Sequence, residues 1–128
     1  MPHTKTVVHV EDDVDVADLV AFLFANSPVE WVNASTATEG LQLARELDPD
    51  LIILDLMLPD IPGRDLFLQM QADPDLRHIP VWVLSVMWWN ANQFPWREPG
   101  IVSYTFKPFD AYQFRERVLD WLGVEGDE

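Results

Sequence analysis

Cysteine is absent from the chain, which excludes a disulfide framework and any Cys-ligated metal site. Basic residues are scarce: eight Lys and Arg stand against 22 Asp and Glu, for a formal net charge of -14. Nucleic-acid backbones are held by clustered Lys and Arg, so no direct nucleic-acid partner is expected, and any action on DNA would pass through another protein. Most of the acidity reads as a solvated surface. No apolar run reaches the length of about 18 residues that a membrane span needs, so no membrane partner is expected. The N-terminus Met1-Pro2-His3-Thr4-Lys5 is followed by no long apolar stretch of the signal-peptide kind. A cytoplasmic location is the default expectation. No Gly-x-Gly-x-x-Gly follows the first apolar run, which disfavours dinucleotide binding. Internal repeats, low-complexity tracts and linkers are missing too.

What remains suits one domain over 1–128, with its core at about 6–122. Thr6 to Val10 is short, β-branched and apolar, the pattern of a buried strand. Asp13 can cap a helix after it, with Val16, Leu19, Val20, Leu23 and Phe24 on one face. Val29 to Asn33 is a second strand, and Thr36 with Glu39 fits a capping box for a helix striped by Leu41, Ala44 and Leu47. Leu51 to Leu54 is a strand apolar on both faces, as in a sheet covered on both sides. A loop with two prolines leads to a helix from Arg64 to Ala72, built on Leu66, Phe67 and Met70. Strands follow at Val81 to Leu84 and Val102 to Phe106. Asp110 caps a final helix with Phe114, Val118, Leu119 and Leu122 inward; Gly123 ends it, and Val124 to Glu128 should fray. Pro95 makes a fourth helix between Met87 and Gly100 short or distorted. The repeated βα alternation predicts an α/β fold with a mostly parallel, doubly wound sheet.

In such a sheet ligands bind at the carboxyl ends of the strands. Glu11 and Asp12 follow the first strand, Asp55 the third, Ser85 the fourth and Lys107 the fifth. Three carboxylates, a hydroxyl and an ammonium should therefore meet at one edge. That set can hold a divalent cation and a phosphoryl group.

These residues resemble the receiver domain of bacterial two-component response regulators. The resemblance rests on Val-His-Val-Glu11-Asp12-Asp13, Ile-Leu-Asp55-Leu-Met-Leu-Pro59-Asp60-Ile-Pro-Gly63, Leu-Ser85 and Tyr104-Thr-Phe-Lys107-Pro108-Phe. It rests also on their separations: 43 residues from Asp12 to Asp55, 30 from there to Ser85 and 52 to Lys107. It covers about Thr6 to Leu122. The resemblance implies a flavodoxin-like (βα)5 fold with strand order 2-1-3-4-5. It implies phosphoryl transfer from a histidine kinase or phosphotransfer protein to Asp55 as the nucleophile. It implies Mg2+ held by Glu11, Asp12, Asp55 and the backbone carbonyl of Met57, with Asp13 as helix cap rather than ligand. Lys107 would hold the transferred phosphoryl oxygens through a charge aimed by a cis bond to Pro108. Ser85 and Tyr104 would form a coupled switch.

The chain departs from the family pattern in places. Val86 follows Ser85 where the family usually has Ala or Gly, and could narrow access to Asp55. The family's signalling surface lies on its fourth helix, fifth strand and fifth helix, which here would be rich in Trp, with Trp88, Trp89 and Trp96 set either to bind a downstream protein or to fold back on the sheet. Trp82 reads as core. A homodimer stays open. No output domain follows Leu122, so a stand-alone receiver and a fragment are equally compatible. Competing readings are a phosphorylation-independent interaction module on the same fold, and a haloacid-dehalogenase type of enzyme. The latter is disfavoured because its Asp-x-Asp pair would need an acid where Met57 stands.

Overall fold

The structure is a computed structural model that describes residues 4–86 and 100–124. Its element order is β1 (Lys5–Val10), α1 (Val14–Leu23), β2 (Val29–Ala34), α2 (Ala37–Leu47), β3 (Leu51–Leu54), α3 (Gly63–Ala72), β4 (Val81–Ser85), β5 (Ile101–Phe106) and α4 (Ala111–Leu122). The strands form one parallel sheet in the order β2-β1-β3-β4-β5, the flavodoxin-like topology anticipated above. The expected helix between β4 and β5, with Trp88, Trp89 and Trp96, lies outside the described residues.

Alternation along the strands builds two cores, because successive side chains point to opposite faces. Val8, Val10, Ile52, Leu54, Val81 and Val83 pack with Leu66, Phe67 and Met70 of α3 on one face. Val7, Leu51, Ile53, Trp82 and Leu84 meet Val20 and Phe24 of α1, and Phe114, Val118 and Leu119 of α4, on the other. Trp82 is core, as expected. Its indole N–H donates to Thr105 Oγ1 at 2.9 Å, and the Arg117 guanidinium lies 5.3 Å from its ring centre. The buried indole is thereby hydrogen-bonded.

The helix signals act where they were read. The Asp13 carboxylate accepts from the N–H groups of Asp15 and Val16. Thr36 caps α2 through the Glu39 N–H, while the Glu39 carboxylate accepts from the Ser35 N–H. Asp110 caps α4, and Gly123 closes it at φ 74°. Two apolar positions need correction. Leu19 and Leu47 are exposed, and Ala17 and Gly40 are buried instead, while Ala44 is buried as expected. α2 lies close to the sheet, so small residues take its contact line; a Cβ on Gly40 would come within 2.8 Å of the Val10 side chain. Val124 is also not frayed: its N–H donates to the Leu119 carbonyl at 3.1 Å and its side chain packs on the second core.

Gly63, the first residue of α3, sits on the loop that follows β3. A Cβ there would lie 2.2 Å from the Asp55 carbonyl oxygen and 2.7 Å from the Leu56 Cα. Both neighbours are backbone, so neither can yield cheaply. Gly63→Ala is therefore expected to lower stability by about 3 kcal/mol, the upper range of overpacking costs. A urea titration reads this directly, and an unchanged midpoint would show that the β3–α3 loop opens at little cost.

Candidate functional site

The first residue past each of β1, β3 and β5 is held by the ladder itself. The Glu11 N–H donates to the Ala34 carbonyl (2.8 Å), the Asp55 N–H to the Val10 carbonyl (3.1 Å) and the Lys107 N–H to the Ser85 carbonyl (3.0 Å). Polar side chains are thus fixed at one edge of an apolar sheet. The Asp55 carboxylate is almost fully enclosed. Its Oδ1 accepts from Ser85 Oγ (2.9 Å) and from the Met57 N–H (3.0 Å), and its Oδ2 from Lys107 Nζ (3.0 Å). The same ammonium donates to Glu11 Oε1 at 2.5 Å, and Glu11 Oε2 accepts from the Asp13 N–H at 3.2 Å. Lys107 therefore bridges two buried carboxylates from two other strands. The Lys107-Pro108 bond is cis.

Asp12 is exposed beside this arrangement, and carboxylate oxygens of Glu11, Asp12 and Asp55 all lie within 4.8 Å of one another. Three hard oxygen donors on a solvent-reachable edge suit a hard divalent cation, which keeps several of its waters. The donor set therefore fits a metal of that class. Asp13 is committed to the α1 N-terminus, as its reading as a cap required.

The charges shift one another. Burial pushes the Glu11 carboxyl up to about 7; the Lys107 ammonium opposes this in part, and Asp55 adds to it. For Asp55, burial also acts upward. The Met57 N–H and Lys107, with Glu11, outweigh it and hold the carboxyl below its ordinary value. Lys107 is held above the usual lysine value because its two carboxylate partners outweigh burial. Asp55 thus stays ionised while Glu11 carries the proton more readily, so the pair divides into an anion and a reserve acid.

Tyr104 is half-buried on β5, its ring 4.8 Å from that of Phe106. Burial, then the Asp55 charge, push its hydroxyl up to about 12. Val86, next to Ser85, is 59% exposed. Two residues of the site escaped the sequence reading. Asp60 ties the β3–α3 loop to α2: its carboxylate accepts from the N–H groups of Ala37 and Thr38 at 2.9 Å each and from Thr38 Oγ1 at 2.7 Å. The signal was an acid three residues before Gly63 with an open helix N-terminus at Ala37. His9 is the other. It is fully buried on β1, on the same face as Glu11, with neither ring nitrogen hydrogen-bonded among the described residues. Burial, then Lys107, hold it down at about 3. A period-two reading of Val7-Val8-His9-Val10-Glu11 would have placed it.

With this geometry in hand, comparison with known proteins is specific. The family model for the response regulator receiver domain matches residues 7–119. The polar-differentiation response regulator DivK of Brucella ovis is 33% identical over 120 residues, covering 94% of this chain and 98% of that protein. Among solved structures, the phosphorylated cyanobacterial phytochrome response regulator RcpA is 30% identical with a TM-score of 0.76, covering 94% of this chain and 95% of that one. A putative response regulator from Chloroflexus aurantiacus is 26% identical with a TM-score of 0.81, covering 94% and 99%.

The opposed shifts of His9 and Glu11 have a measurable consequence. From about pH 5 to 6.5 the unfolded His9 binds a proton that the folded one does not, which makes stability rise with pH. Over the same window folded Glu11 keeps a proton that the unfolded one has lost, which makes stability fall. The two slopes cancel, so these groups leave metal-free protein nearly flat in urea midpoint there. Glu11→Gln should unmask a rise of about 1.4 kcal/mol per pH unit. A variant curve as flat as wild type would show that one of the two shifts is absent.

Proposed function

The chain belongs to the response regulator receiver domain family, phospho-accepting signalling switches rather than enzymes with a separate substrate, and from that premise we propose that Asp55 is the residue that takes the phosphoryl group. The observation that carries this reading is the Asp55 carboxylate held among Ser85 Oγ, the Met57 N–H and Lys107 Nζ, beside two further acids. The general partner is a histidine kinase or a phosphotransfer protein. An ionised Asp55 oxygen attacks phosphorus, the P–N bond of the phosphohistidine breaks, and its electron pair leaves with the imidazole. Lys107, already within hydrogen-bond reach of Asp55, then meets the new phosphoryl oxygens, and the Ser85 hydroxyl can donate to them. Glu11, Asp12, Asp55 and the backbone carbonyl of Met57 would hold Mg2+, which when bound offsets the repulsion between the anionic nucleophile and the anionic donor.

Ser85 and Tyr104 form the switch in this reading. When the hydroxyl turns to the phosphoryl group, the space it leaves favours an inward Tyr104 ring, and the β5 surface around Val102 and Phe106 changes with it. A downstream protein reads that surface. Among the described residues no helix is long and apolar enough to cross a membrane, and we place the protein in the cytoplasm, with no direct contact to nucleic acid. A homodimer remains one form the signalling surface could take.

Intact-protein mass after incubation with phosphoramidate tests the site. A gain of one phosphoryl group is expected with Mg2+ and not with EDTA, and it should vanish in Asp55→Asn with the fold unchanged by circular dichroism. Uptake that persists in the variant would refute the assignment.

A further inference from the structure

The register of β1 with β2 ends at Val10 opposite Ala34. One residue on, the Glu11 N–H still donates to the Ala34 carbonyl at 2.8 Å. The Glu11 carbonyl is met by a side chain instead, Asn33 Nδ2, at 3.4 Å. The same amide donates to the His9 carbonyl at 2.9 Å and lies 3.4 Å from the Ala34 carbonyl. These neighbours are all carbonyl oxygens, so the NH2 end of the amide, and not its oxygen, turns to them. Asn33 itself is exposed on β2, an edge strand. Asparagine is depleted in strands, and burial asks for no amide at this position. What the amide does is grip the last stretch of backbone before the acids.

The grip falls on a sensitive point. Glu11 is buried and Asp12 is exposed, and the peptide unit between them is the one whose carbonyl Asn33 holds. That unit sets the direction in which Asp12 leaves β1. It therefore helps decide whether carboxylate oxygens of Glu11, Asp12 and Asp55 come within 4.8 Å of one another. Groups that orient metal ligands change metal affinity by about 10- to 100-fold when removed. We propose that Asn33 is a positioning residue for the divalent cation: its side-chain amide fixes the Glu11–Asp12 peptide so that the acids already converge before the metal binds. The proposal rests on these acids being the Mg2+ ligands. The amide then acts on metal affinity and not on the chemistry at Asp55.

Asn33→Thr and Asn33→Val test this, because both residues suit a strand and neither carries the amide. Calorimetric titration of the unphosphorylated protein with Mg2+ should show binding about tenfold weaker in each variant than in wild type. Phosphoryl uptake from phosphoramidate, followed by intact mass, should need about tenfold more Mg2+ to reach half its maximal rate, with the wild-type maximum still reached. A purely structural role would not give that split. Mg2+ affinity equal to wild type in both variants overturns the role of Asn33 and leaves the metal reading intact. A maximal rate that stays low in both variants at saturating Mg2+ shows a general loss of structure, and overturns it as well. No Mg2+ binding by wild type refutes the metal reading and this inference with it.

Discussion

One ammonium group holds the reactive edge together. Lys107 comes from the end of β5, an edge strand, and its charge lies between Glu11 after β1 and Asp55 after β3. Both carboxylates are buried, and removing charge from water costs several kcal/mol per ion in real proteins. Neither acid has enough hydrogen-bond donors of its own kind to offset that. Asp55 has the Met57 N–H and the Ser85 hydroxyl; Glu11 has the Asp13 N–H besides the lysine. The arrangement is thus poor evidence for stability and good evidence for use, since an apolar replacement of the set would pack at less cost.

The rest of the fold keeps these three side chains where they are. A parallel sheet brings all its carboxyl ends to one edge, and covering both faces with helices leaves that edge as the solvent-reachable place for polar groups. The β3–α3 loop then has to be fixed, because it carries the Met57 N–H that meets Asp55. Gly63 fixes one end by packing against the backbone of Asp55 and Leu56. Asp60 fixes the middle by binding the first N–H groups of α2, where a carboxylate also complements the helix dipole. Asp60 is held far below the usual carboxylate range by those same donors, Thr38 first, so the tie persists well into acid.

The sequence made most of this legible because it depends on short patterns. Strand ends, capping residues and the order of acid, hydroxyl and lysine are local, and each was read from a few neighbouring residues. Departures came where position depends on a distant neighbour. Periodicity points Leu19 and Leu47 inward, yet both are exposed, and on α2 the close approach to the sheet is taken by Gly40, where a Cβ would meet the Val10 side chain at 2.8 Å. Asp60 looked like a loop residue until the N-terminus of α2 was known to stand opposite it. His9 lies inside an apolar strand, where period-two alternation places it on the face of Glu11 but does not say how completely it is buried. The roles proposed for Asp55, Ser85, Tyr104 and Lys107 come from resemblance, and the geometry supplies hydrogen bonds among Asp55, Ser85 and Lys107.

Charge balance then limits how the site can work. One lysine faces three carboxylates, so the edge is anionic even when Glu11 carries a proton. Phosphorylation would replace the Asp55 carboxylate charge with a phosphoryl group carrying about -1.5 to -2, a net gain of negative charge, and Lys107 cannot neutralise both the phosphoryl oxygens and Glu11. If the ammonium turns toward the phosphoryl group, Glu11 loses its main counter-charge while remaining buried. Two responses are available: Glu11 takes up a proton, which its raised carboxyl value favours, or a divalent cation joins Glu11 and Asp12. The first silences one acid. The second would add two positive charges at the point where the three acids converge. The acid cluster and the single bridging lysine therefore belong to one electrostatic arrangement: under the proposed reading, a cation held by Glu11, Asp12 and Asp55 would offset the negative charge that one lysine cannot balance.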